Sequence, residues 1–304
     1  MPVVTPTTAP LARLNPAEIA ARVAQCPALP SLGKISQSIQ SFLQAEHSFT
    51  AEISETVSRD PSLTSRLLRL ANSAYYGRMT PVRSIDEAVF FLGTRQIRQL
   101  ALSTPIVEDF QRLTVRCAFP WRDFWQHCIA VAIMTREVLN AVHAVPDESH
   151  YVAGLVHDLG KAVMAWSFPQ HFTEIHRRTL RGQCGLATIE CEILGMDHAE
   201  LGAIYMESHQ LPHLMIEATR CHHQPHQAAQ FPGIIAAVNV ADMLVRMQTI
   251  GFSGERSTVT WDECLASSGW VNLFSSVAEA KAGEARLSLT RTLHGISTLI
   301  ESLV

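Results

Sequence analysis

The chain has 304 residues, 47% of them hydrophobic, and a formal net charge of -4. That length and apolar content suit one large domain or two ordinary ones with a buried core that needs no covalent staples, and the mild acidity makes neither nucleic acid nor an anionic membrane an obligatory partner. No apolar run reaches the roughly 20 residues of a membrane span, the start MPVVTPTTAPLAR lacks a basic stretch followed by an apolar one, and the 7 cysteines include no C-x-x-C pair, so the expectation is a cytoplasmic protein with reduced, buried thiols.

Residues 1–14, rich in Pro and Thr, are expected to form a flexible tail. Asn15, Pro16 and Glu18 then predict a helix start: Asn15 as the cap, Pro16 in the first position, Glu18 returning the capping bond. After a Pro-containing break at 27–30, the pattern Ile35, Ile39, Phe42, Leu43 predicts a short helix. Asp60 and Pro61 open another over PSLTSRLLRLANSAYYG, with Leu63, Leu67, Leu70, Ala71 and Ala74 on one face and Gly77 at its end. Ser84 to Glu87 forms a second capping box, and the segment behind it is interrupted at Leu92 and Gly93 and restarts at Thr94, a helix-turn-helix outline. Seven arginines lie between Arg59 and Arg98, and DNA binding through Arg66, Arg69, Arg95 and Arg98 is the reading they raise. The preferred reading is that they are solvated or cover apolar surface with their stems, with nucleic acid not a partner.

From Trp121 the helices become longer and more apolar: WRDFWQHCIAVAIMTREVLNAV, then YVAGLVHDLGKAVMA over 151–165, then 172–180, DHAELGAIYMES, PHLMIEATRCHH and GIIAAVNVADMLVRM. Residues 251–270 read as loop with a short helix near 261–266, and 278–304 as a closing amphipathic helix with Leu289, Leu293, Ile296, Ile300 and Leu303 in register. Strand-like alternation is nearly absent, so the fold class is all-α.

Within the helix expected over 151–165, His157, Asp158 and Lys161 are costly in an apolar setting unless partnered. Asp158 and Lys161 are i,i+3 neighbours, and His157 and Lys161 are i,i+4 neighbours, so one helix presents all three toward one spot. His127, His198, His222, His223 and Asp242 are further polar residues on the apolar helices of the same half. Singly, each also reads as a hydrogen-bonded core or cap residue: His198 follows Asp197, which with Glu200 makes a capping box, and His222 and His223 end a helix. Gly160 and Gly202 are read as close-packing positions, since the chain has no phosphate-loop motif.

The order His127, His157-Asp158, His198, His222-His223, Asp242 resembles the HD superfamily of metal-dependent phosphohydrolases. PSLTSRLLRLANSAYYG, SIDEAVFFLGTRQIRQLAL, the Trp-x-x-His helix, AGLVHDLGKAV, DHAELGA and the HH-x-P ending resemble more closely its HDOD branch, over about residues 27–250. The resemblance implies a multi-helix HD-type bundle, with an N-terminal helical subdomain at 15–115, a metal-binding core at 116–250 and a C-terminal extension at 251–304. It implies that His127, His157, Asp158 and Asp242 hold a primary metal, and that His198 with His222 or His223 holds a second, bridged by Asp158. Imidazole and carboxylate ligands suit iron or manganese, with zinc also compatible. One or two such ions are expected.

HDOD proteins are bacterial signalling or regulatory domains, which implies a signalling protein as partner. The complete ligand set keeps an alternative open: an active phosphohydrolase on a nucleotide or cyclic dinucleotide, with Asp158 and Lys161 in the catalytic machinery and Lys161 neutralising a phosphate oxygen. Lys161 reads equally as an ion-pair partner of Asp158. The Gly-Tyr-Pro motif of the related HD-GYP phosphodiesterases is missing after the double His, where the text is HHQPHQAAQFPG.

Overall fold

The computed structural model describes residues 11–34, 61–73, 80–114, 117–182, 184–255 and 258–301. Every regular element among them is helical. The first, α1 (Pro16–Val23), begins as its sequence dictates: the Asn15 side chain accepts from the Glu18 amide at 3.0 Å, and Glu18 returns a bond to the Asn15 amide at 2.9 Å. Before it, the Leu14 amide donates to Leu194 O at 2.9 Å and the Ala12 carbonyl lies 3.0 Å from His171 Nε2. The helix expected around Ile35 to Leu43 lies outside the described residues.

Helix α2 (Pro61–Ala71) buries Leu63, Leu67, Leu70 and Ala71 as the spacing predicts. It ends at Ala71 and does not continue through Asn72. The Asn72 amide bonds Leu68 O and Val82 O, both at 2.9 Å, and its oxygen accepts from the Val82 amide at 2.7 Å, so a strand of chain is clamped across the helix end. Ala74 and Gly77 lie outside the described residues. Two helical runs follow in α3 (Ile85–Thr114), broken at Gly93, whose φ of 77° and ψ of 163° are non-helical. The predicted interruption therefore falls at a glycine, which accepts such a φ without strain because it has no side chain. Two arginines of the DNA reading make ion pairs within the fold, Arg66 with Glu108 at 3.8 Å and Arg98 with Glu148 at 3.2 Å, while Arg69 is exposed.

The centre is α4 (Trp121–Ala141), whose buried residues run almost without gap from Phe124 to Leu139. Around it and each other pack α5 (Glu148–Val156), α6 (Leu159–Ser167), α9 (His198–Ser208), α10 (His213–Cys221) and α11 (Pro232–Met247). Two outer helices, α7 (Pro169–Thr179) and α8 (Leu186–Ile193), pair with one another. In the stretch read as loop, α12 (Trp261–Ala266) has the expected position, but Ser267 caps a further helix, α13 (Ser268–Phe274), which packs on α11. The last, α14 (Glu279–Glu301), lays buried Leu289, Leu293, Ile296 and Ile300 along the bundle, against α4. All 7 cysteines are free thiols; Cys184 is exposed and Cys191 half-buried, and the rest are buried. Among the described residues no helix is long and apolar enough to cross a membrane.

Candidate metal centre

The stretch 151–165 is not one helix. Apolar periodicity runs straight through it, but α5 stops at Val156 and α6 starts at Leu159, leaving His157 and Asp158 in the turn between them. Asp158 adopts φ -97° and ψ 10°, and its side chain caps no amide. With the break between the two helices, both adjacent side chains face a common centre, which neighbours within one straight helix do less well. His127 reaches that centre from mid-α4, His198 from the first residue of α9, His222 and His223 from the end of α10, and Asp242 from mid-α11.

All the residues singled out in the sequence thus converge. Asp158 divides its two oxygens. Oδ1 faces His198 Nε2 at 3.2 Å and His222 Nε2 at 3.6 Å; Oδ2 faces His157 Nε2 at 3.5 Å, His127 Nε2 at 3.8 Å and Lys161 Nζ at 2.6 Å. Asp242 Oδ1 lies 3.1 Å from His127 Nε2 and 3.9 Å from His157 Nε2, and its Oδ2 lies 3.6 Å from Arg246 Nη1. His223 Nε2 is 3.0 Å from His198 Nε2. Two groups of ligand atoms result, His127 with His157 and Asp158, and His198 with His222 and His223, each lying within 4.8 Å of one another.

Ring orientation is fixed from behind. His157 Nδ1 lies 2.7 Å from Gly154 O and His222 Nδ1 2.8 Å from Thr219 O, so each ring donates Nδ1–H and presents the Nε2 lone pair inward. His198 Nδ1 lies 2.6 Å from Glu190 Oε2. At the centre itself the hydrogen bonding stops: His127 Nε2, His157 Nε2, His222 Nε2 and Asp158 Oδ1 are sealed from solvent and none makes a hydrogen bond of acceptable geometry. Converging buried lone pairs left unsatisfied are costly. A divalent cation satisfies that set, so the residues present fit such a group by their chemistry.

The charges point the same way. Burial pushes the His127 and His222 imidazoles down, toward the neutral form that ligates. Burial alone would raise the Asp158 carboxyl, but Lys161 and His157 hold it well below the usual range; Asp242 is likewise held low by His127 and Arg246. For Lys161, burial favours loss of the proton, and Asp158 and Glu255 more than reverse this, so the ammonium stays charged. The geometry of Lys161 is that of the ion pair: its other bond, at 2.8 Å, goes to Ser253 O, and it is 3% exposed.

Several neighbours escaped the sequence reading. Glu190 was signalled weakly: Leu186, Ile189, Glu190 and Ile193 form an apolar stripe with one carboxylate in it. Arg246 was readable as the residue four beyond Asp242 on one helix face. The segment 249–255 was not readable. Gly251, at φ 67°, lies so close to α4 that a Cβ there would stand 2.4 Å from His127 N, and Phe252 N donates to Asp123 O at 2.9 Å. Glu255 closes the segment by pairing with Arg246. A cavity of about 100 Å³ runs beneath it to His127.

The HDOD domain model matches residues 29–225. An HDOD domain protein of unknown function from Geobacter sulfurreducens superposes with a TM-score of 0.77 at 18% identity, covering 95% of this chain and 99% of that one. A candidate phosphohydrolase from Shewanella amazonensis gives 0.66 at 23% identity over 95% and 98% of the two chains, and a candidate signal transduction protein from Marinobacter aquaeolei gives 0.64 at 19% over 96% and 62%. These likenesses are of fold. An uncharacterised protein of Treponema pallidum is 26% identical over 235 residues, 76% of this chain and 44% of that one, so the chain spans under half the length of the curated relative it matches.

Proposed function

Since this chain belongs to the HDOD domain family, we propose that it is a bacterial regulatory module whose HD half holds metal as a structural or sensing centre and which acts through a protein partner. The observation that carries this reading is closure. The metal-facing atoms are sealed, and Lys161 and the 249–255 segment cover them; the cavity that reaches His127 is about 100 Å³, against roughly 300–1,000 Å³ for ordinary small-molecule pockets. A centre so enclosed leaves a substrate little room, which suits a structural or sensing ion. In this reading His127, His157, Asp158 and Asp242 hold one ion, and His198 with His222 or His223 holds a second if two are bound. Iron or manganese is favoured by the nitrogen and oxygen donors.

One observation favours a second reading, a metal-dependent phosphohydrolase: Asp158 turns one oxygen to each histidine group, as a carboxylate shared by two ions does. Paired ions supply Lewis acidity toward a phosphoryl group. Here Lys161 would have to leave Asp158 Oδ2 and Ser253 O to meet a phosphate oxygen, and the 249–255 segment would have to lift to admit a nucleotide.

Metal analysis of freshly purified protein with a phosphodiesterase assay in Mn²⁺ and Fe²⁺ separates the two. Bound metal without turnover, lost in His157→Ala and Asp158→Ala, supports the regulatory module. Metal-dependent turnover abolished by those substitutions overturns it in favour of the hydrolase.

A further inference from the structure

We infer that Glu190 is a positioning residue of the centre: its carboxylate sets the orientation and the bound tautomer of His198, and through them the metal affinity of the His198 and His222 group. The inference rests on reading His198 as a ligand.

The argument begins with where each histidine sits on its helix. His157 and His222 occupy the C-terminal caps of α5 and α10, where the last carbonyls have no partner within the helix. A carbonyl three residues back is therefore at hand for each Nδ1–H, and both rings use it. His198 is the first residue of α9. The unpaired groups at that end are N–H donors, so the helix offers its Nδ1–H no acceptor. One must come from another element, and Glu190 of α8 supplies it. Glu190 Oε2 accepts from His198 Nδ1 at 2.6 Å and from the His198 amide at 2.9 Å, and the residue is 1% exposed. One oxygen thus fixes both the backbone and the ring of the same residue, with the ring's Nε2 left facing Asp158 Oδ1 at 3.2 Å.

The acceptor is also different in kind. Gly154 O and Thr219 O are neutral, whereas Glu190 is a carboxylate placed at a helix N-terminus, which favours negative charge. A carboxylate behind a ligating imidazole raises its basicity as well as holding its direction, and losing such a partner typically costs about 10–100-fold in metal affinity. Capping alone does not need the charge, because an amide oxygen accepts the same two bonds.

Chelator-stripped full chain titrated with Co²⁺ provides the test, comparing the parent with Glu190→Gln, Glu190→Ala and His198→Ala. The metal equivalent that disappears in His198→Ala should remain in Glu190→Gln but bind about 10–100-fold more weakly, with any other equivalent bound as in the parent. In the Zn²⁺-loaded chain the hydrogen-bonded Nδ1 proton resonance of His198 should be lost in Glu190→Ala while those of His157 and His222 stay. The inference is overturned if Glu190→Gln binds every equivalent as the parent does, if all equivalents weaken together with a lower metal-free melting temperature, or if the His198 proton survives in Glu190→Ala. A parent that takes up no metal overturns the metal reading of the whole centre, and this inference with it; normal uptake by both parent and Glu190→Gln overturns this inference alone.

Discussion

Gly160 of α6 and Gly202 of α9 meet backbone to backbone: a Cβ built on Gly160 would lie 1.8 Å from His198 O and 2.9 Å from Gly202 N, and one on Gly202 would lie 2.9 Å from Gly160 Cα. The two helices cross at the absence of these side chains, and the crossing sets how far His198 stands from Asp158 on the chain of α6. Gly160→Ala must therefore push α9 away, since the atom in the way is backbone and cannot rotate aside. We expect a loss of at least about 3 kcal/mol, the upper end for an overpacked core, and impaired metal uptake in whatever protein folds. Urea unfolding midpoints measure the first and metal content the second; a variant that matches the parent in both contradicts the packing account.

Removal of ligands has a signature in stability. An ion bound only by the folded chain at 100 times its dissociation constant adds about 2.7 kcal/mol. The parent should therefore melt at a higher temperature with Mn²⁺ than with chelator. His157→Ala and Asp242→Asn should shrink that gap, because they remove one ring and one carboxylate charge from the group around His127. Thermal unfolding with and without chelator decides it, and a gap of parental size in Asp242→Asn sinks the assignment of Asp242.

Lys161 gives a crossed prediction. Its Nζ is the nearest cation to Asp158, at 2.6 Å, and both side chains are buried. Lys161→Met strands that carboxylate in the chelated protein, at a cost of about 3–5 kcal/mol for an uncompensated buried charge. With metal present the ion meets the same charge, so the loss should be clearly smaller. Equal losses in the two conditions, read from denaturant midpoints, would show that Lys161 stabilises the fold through Ser253 O and not through Asp158.

How much of this was legible depends on whether the signal was local. Asn15, Pro16 and Glu18 announce α1, and Leu92 and Gly93 announce the break in α3, because capping and positive φ are decided within a few residues. The ligand set was legible because histidines and aspartates stand out in apolar helices. The turn at His157 and Asp158 was not: Val152, Leu155, Val156, Leu159 and Val163 keep one period across it, and the break belongs to the packing of the two helices against α4, α9 and α10. The 249–255 segment gave no signal of its place, since apart from the Glu255–Arg246 pair its contacts are with Asp123, His127 and Lys161, all far away in sequence.

The pH dependence of metal binding and that of metal-free stability should run in opposite directions through His198. Burial alone would lower this imidazole, but the Glu190 carboxylate reverses the effect and holds it up at about 9. Without metal, the folded chain keeps the His198 proton that an unfolded chain releases near pH 6.5. That stabilisation is complete below about pH 6.5 and is lost as pH rises toward about 9, so stripped protein should become less stable across this window. Metal at His198 must displace the same proton, so its affinity should instead rise across the window, by up to about tenfold per pH unit, with uptake of each ion releasing up to one proton. Calorimetric titrations in buffers of different ionisation enthalpy measure that release directly. Metal binding at pH 7 with no proton release, in protein whose uptake depends on His198, would show that the ring is already neutral and that Glu190 does not hold its proton.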